Sequence, residues 1–111
     1  AYGGHLRGHA DIPACMQDAG LVSRVRAAGA AVAEALGRRH GAHAREQSQD
    51  ILDDLLERYR NRALADPVAR VARDPWRKLA VDDRLVGAAR LCREQGVVIT
   101  PITTAIADAC R

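Results

Sequence analysis

LVSRVRAAGAAVAEALGRRH, residues 21–40, is the stretch that decides the fold. Leu21, Val25, Ala28, Val32 and Leu36 recur at spacings of three and four. That spacing lines one face of an α-helix and cannot line one face of a strand. Arg38, Arg39 and His40 follow, cations suited to a helix C-terminus, and then Gly41, a natural stop. Working outward, residues 48–60 repeat the pattern with Ile51, Leu52, Leu55, Leu56 and Tyr59, and Ser48 is placed to cap that helix.

The rest of the chain reads the same way. Asp66-Pro67, Asp74-Pro75 and Thr100-Pro101 each put a capping residue before a proline. Proline suits the first helical turn, where its missing N–H would be unpaired anyway, and it pushes the residue before it out of helical geometry. A short helix is expected over 67–72, another turn from 75, a longer helix over 82–95 ending at Gly96, and a last helix from Pro101 burying Ile102, Ala105, Ile106 and Ala109. Residues 97–99 read as an apolar linker. Over 1–17, Gly3, Gly4 and Gly8 weaken a helix but allow close backbone approach, so a helix packed against a neighbour is expected there. The sum is an all-α, multi-helix bundle of five to seven helices, several of them short and proline-started.

Composition agrees. Hydrophobic residues make up 48% of 111, too many for disorder, while aromatics are 3% with no Phe. The core must be built from Ala, Val, Leu and Ile, which favours close helix packing. The length fits one domain, 1–111. A net charge of +3 is too weak to argue for nucleic acid. Cys15, Cys92 and Cys110 are odd in number and widely spaced, so neither a disulfide framework nor structural zinc is expected, and a reducing cytoplasm is. No apolar run is long enough to span a membrane.

The charge is concentrated in RVARDPWRKLAVDDRL, residues 70–85, with Arg70, Arg73, Arg77, Lys78 and Arg84 around Asp74-Pro75. A forced bend between two short helices lets cations eight residues apart converge on an anion, a phosphate or a carboxylate. The bland alternative is that Asp74, Asp82 and Asp83 pair with these cations on an ordinary surface.

The pattern R-x-x-R-D-P-x-R-K-L-x-x-x-D-R-L at 70–85 resembles the C-terminal helical domain of the polyol-specific long-chain dehydrogenases, in their mannitol-1-phosphate 5-dehydrogenase branch. Arg58-Tyr59-Arg60-Asn61 is similar to the family's R-[FY]-x-N, and Leu64-Ala65-Asp66 follows. The opening Ala1 to Gly8 resembles A-Y-L-G-Y-L-K-G, and Leu85 to Cys92 resembles L-I-G-A-A-R-L-C. The resemblance implies that Arg70 and Lys78 contact substrate, with Arg77 as the second cation of the phosphate-using branch, where unphosphorylated mannitol dehydrogenases have D-G-S-S-K. Arg73, Trp76, Arg84 and Asn61 are possible pocket residues; a lone Trp beside the bend also suits an anchoring role. His5 and His9 stand where the family has Tyr, Gly3 replaces Leu, and Pro13-Ala14-Cys15 replaces His-Glu-Ala.

The resemblance also implies an NAD-dependent oxidoreductase acting on a sugar or polyol phosphate. Its cofactor would be bound by an N-terminal Rossmann domain, and the sequence has no G-x-G-x-x-G. The family's proton-transferring Lys lies upstream of the Ala-Tyr that opens this chain. The expectation is a C-terminal substrate domain of a longer dehydrogenase, without catalytic or cofactor-binding residues of its own and inactive alone. Two alternatives stand beside it, an unphosphorylated mannitol 2-dehydrogenase domain and a small basic nucleic-acid or protein-binding module. His5 and His9, and His40 and His43, lack a third partner, so no metal site is expected.

Overall fold

The computed structural model describes residues 1–80 and 85–111, with Arg77 and Lys78 through their backbone alone. Among these, seven α-helices and two 3-10 turns follow one another with no sheet. They are α1 (Tyr2–Leu6), α2 (Ile12–Cys15), α3 (Ala19–His40), α4 (Ala42–Arg60), α5 (Val68–Val71), α6 (Val86–Glu94) and α7 (Thr100–Ala109). The turns are Arg62–Leu64 and Pro75–Leu79. No helix among the described residues is long and apolar enough to cross a membrane.

The long helix at 21–40 is the spine, as expected, and at 1.5 Å per residue it sets most of the 38 Å long axis of the molecule. It is covered on two sides, and this changes which residues it buries. Ala31 and Ala35 pack with Cys92 of α6 and Ile102 of α7, and Leu21 packs with Cys15 and Val68. Ala33 is also buried, whereas Val25 of the expected stripe stays 38% exposed. Alanine faces let neighbouring helices approach closely, so the positions that α3 buries completely, Ala33 and Ala35, are small.

Three expectations need correction. The second helix begins at Ala42, not at Ser48, which sits half-buried inside it. Gly41, at φ +100°, ends α3 and starts α4 at one residue, leaving no room for a loop. The opening segment forms two short helices, because Gly8 takes a left-handed conformation after α1 and Asp11 caps α2 by accepting from the Ala14 N–H at 2.8 Å. None of the residues before the three prolines caps a helix through its side chain. The caps are Asp11, Asp18 and Asn61, none of them in an X-Pro pair. The last helix starts at Thr100 and buries Ile102 and Ala109, with Ala105 and Ile106 partly covered. Of the helix expected over 82–95, residues 86–94 are seen and 82–84 lie outside the described residues.

Candidate functional site

The basic bend is fixed at its base. The Ile12 N–H donates to the Asp66 carbonyl at 3.0 Å, and the Val68 N–H donates to the Ala10 carbonyl at 2.9 Å. Val68, 1% exposed, packs with Cys15 and Leu21. Two backbone hydrogen bonds and a buried side chain thus anchor α5 to the start of the chain. The close approach needs Gly4, where any β-carbon would meet the Cys15 sulfur.

Beyond α5 the chain turns and bends at Ala72 and Arg73. Asp74 adopts φ +55° and ψ +67°, and among the described residues it is the one non-glycine with positive φ. Pro75 then opens the 3-10 turn. The backbone therefore carries Arg70 on one arm of the bend and Arg77 and Lys78 on the other. The side chains of Arg77 and Lys78, and all of Arg84, Asp82 and Asp83, lie outside what the structure describes. Arg70 sits 3.7 Å from Asp66, and both side chains are more than half exposed. Such a pair contributes at most about 1 kcal/mol, so Arg70 can exchange it for a ligand anion at small cost.

A cavity of about 200 Å³ opens beside the bend. Tyr2, His5 and Leu6 of α1 form one wall, Ala72 and Pro75 the second, and Asp108, Ala109 and Arg111 the third. The Asp108 side chain is 8% exposed and is held by an ion pair with Arg24 of α3. A carboxylate, an imidazole and a phenol around a small cavity, with cations along the adjoining bend, suit a small polyhydroxylated molecule with an anionic end.

The expected pocket residues are divided. Trp76 is 76% exposed and lines neither this cavity nor the core, so it does not anchor the bend by packing. Arg73 is exposed. Asn61 lies elsewhere: its Oδ1 accepts from the Ala63 N–H at 3.0 Å, and it lines an open groove at the end of α4 with Arg58, Arg60 and Leu64. Asp108 and Arg111 carry no mark in the sequence as lining residues. Asp108 and Arg24 meet across 84 positions of chain, and no local pattern marks such a pair. His5 did carry a signal, as a departure from the family's Tyr.

Other reactive side chains have structural partners. Arg7 donates to both Asp18 oxygens at 2.8 Å, and the His9 Nε2 lies 3.0 Å from one of them. These bonds, with the Leu21 N–H, hold the Asp18 carboxyl well below the usual carboxylate range. Burial pushes up the thiols of Cys15 and Cys92, and Cys92 packs with Ala88 and Ala89. His5 and His9 are separated by the end of α1. Among the described residues, no three His, Cys, Asp or Glu side chains gather in a way that would hold a metal ion.

Comparison with known proteins shows the family. The family model described as the mannitol dehydrogenase C-terminal domain matches residues 1–111. The chain is 37% identical over 109 residues to a mannitol-1-phosphate 5-dehydrogenase of Brevibacillus brevis, covering 98% of this chain and 28% of that protein. It is 36% identical over 111 residues to one from an Arthrobacter species, and 35% identical over 111 residues to one from the fungus Pyrenophora tritici-repentis. Those matches cover 100% of this chain and 29% and 28% of the relatives. The chain thus spans under a third of the length of the curated relatives it matches. No solved structure gives a significant match. Matched along its whole length by one family model, the chain belongs to the mannitol dehydrogenase C-terminal domain family.

Proposed function

We propose that this chain is the substrate-binding helical domain of an NAD-dependent polyol-phosphate dehydrogenase that interconverts mannitol 1-phosphate and fructose 6-phosphate. The observation that carries the reading is the basic bend, Arg70 on one arm and Arg77 and Lys78 on the other, in a chain whose relatives are mannitol-1-phosphate 5-dehydrogenases. In this reading the three cations hold the phosphate. The cavity beside Pro75 takes the polyol chain, with Asp108, His5 and Tyr2 as hydroxyl partners.

The nicotinamide cofactor falls outside this reading of the chain, whose sequence carries no G-x-G-x-x-G. The proposal therefore assigns the cofactor and the proton-transferring group to another domain of a longer protein, and 1–111 to its C-terminal part. It also carries a cytoplasmic setting, in keeping with free thiols at Cys15, Cys92 and Cys110. Each charge-assisted phosphate contact contributes about 1.5–3 kcal/mol. In the full-length gene product, Arg70→Ala or Lys78→Ala should raise KM for fructose 6-phosphate about ten-fold or more, with a smaller effect on kcat. Steady-state kinetics that leave KM unchanged in both variants would reassign these cations to the fold.

A further inference from the structure

Asp108 stands where a helix does not favour a carboxylate. It lies in the last turn of α7, at the negative end of the helix dipole, and its side chain is almost wholly covered. Burial adds a desolvation cost, which the ion pair with Arg24 of α3 offsets. A buried pair of this kind is often no more stabilising than apolar side chains of the same volume, so stability alone does not account for it. Gly3 of α1 faces the pair. A β-carbon there would lie 2.9 Å from Arg24 Nη1, 3.3 Å from Asp108 Oδ2 and 2.8 Å from Leu21 Cδ2. A side chain at position 3 would therefore displace the guanidinium. Among the described residues, Asp108 lines the cavity beside the bend and Arg24 does not. The pair is neutral as a whole, and its negative member is the one that meets the cavity.

We propose that Asp108 determines specificity, held by Arg24 as its positioning residue in the space left at Gly3, and that it selects a ligand ending in hydroxyls over one carrying a second anionic group. The inference rests on the reading of this cavity as the seat of the polyol chain. An ionised carboxylate only accepts hydrogen bonds. It therefore bonds the hydroxyl hydrogens of a polyol and repels a phosphate or carboxylate brought to the same place. Low exposure keeps its field from being screened. Arg111 also lines the cavity, but it is exposed, and water screens it. The planar guanidinium of Arg24 fixes the carboxylate more firmly than a flexible ammonium would. Removing the Asp108 charge would invert the local sign, because Arg24 would remain as an unopposed cation.

The test is steady-state kinetics on the full-length protein, with fructose 1,6-bisphosphate as a competing inhibitor. In Asp108→Asn, KM for fructose 6-phosphate should rise about five-fold or more with kcat changed less, while Ki for the bisphosphate falls about five-fold or more. Opposite signs mark specificity, since damage to the fold weakens both ligands. Gly3→Ala should also raise KM, and should add nothing further in the Asp108→Asn background. An unchanged KM in Asp108→Asn, a Ki that rises with KM, or an independent Gly3→Ala effect would each overturn the proposal. If Asp108→Asn does not fold, the double substitution Arg24→Met with Asp108→Asn removes both charges and leaves neither unpaired. It should raise KM equally, and an unchanged KM there would overturn the proposal as well. Where fructose is turned over in place of its phosphate, the KM rise should appear with fructose; the phosphate reading then fails and this one stands. Turnover of neither sugar would overturn both.

Discussion

Asp74 holds backbone angles that cost an ordinary L-residue about 1–2 kcal/mol, and it does so at the centre of the basic bend. Glycine pays no such penalty but loses more entropy on folding. Asp74→Gly should therefore leave Tm unchanged or raise it by a few degrees, whereas Asp74→Val, β-branched, should lower it by several degrees. Calorimetry of the full-length protein checks this, and equal Tm values for the two variants would contradict the left-handed backbone. Asp18 makes a second case. It caps α3 by accepting from the Gly20 and Leu21 N–H groups and also binds Arg7 and His9. Its pKa is lowered in the fold, so its contribution to stability is fully present above the ordinary value of 3.8 and is lost as pH falls below it. Asn caps as well as Asp but carries no charge. Asp18→Asn should thus cost less stability than Asp18→Ala near neutrality, and the Tm gap between wild type and Asp18→Asn should narrow steadily as pH falls below about 4. At this scale the sequence misled in an informative way. It marked Asp66, Asp74 and Thr100 as caps from the prolines that follow them. Of the carboxylates that do cap, Asp11 stands before a four-residue helix too short to show a period, and Asp18 stands three residues ahead of the stripe that opens at Leu21.

Elements were more legible than residues. The period in 21–40 identified α3 because burial on one side alone already imposes the spacing, and α7 was placed to within a residue by Pro101. The start of α4 was missed because residues 42–47, AHAREQ, have no apolar stripe. Their helix is held instead by good intrinsic formers and by Arg45, which reaches Glu34 of α3 at 3.2 Å. The glycines of the opening segment do mark close packing, but the segment forms two helices rather than one. Its packing gives a direct prediction. Gly4→Ala drives a methyl group into the Cys15 sulfur, and overpacking of this kind costs about 1–3 kcal/mol. For a domain of this size that lowers Tm by roughly 4–8 °C per kcal/mol, measurable by thermal denaturation. A Gly4→Ala protein as stable as wild type would show that α1 and α2 do not meet as described.

At the scale of the molecule, the all-α class and the family were readable from helical period and from the 70–85 motif. The division of the surface was not. Whether a cation lies at a cavity or on a plain face depends on contacts between distant positions, such as Arg24 with Asp108 and Val68 with Ala10. The structure separates two regions that the sequence ran together, a cavity of α1, the bend and α7, and a groove at the end of α4 that contains Asn61. The central claim is that the bend serves a phosphate. The most direct measurement is NADH consumption by the full-length gene product with fructose 6-phosphate and, separately, with fructose at the same concentration. The account predicts turnover of the phosphate, with fructose slower by two orders of magnitude or more, as the loss of two charge-assisted contacts of ~1.5–3 kcal/mol implies. Turnover of fructose as fast as of its phosphate would contradict it and return Arg70, Arg77 and Lys78 to the surface.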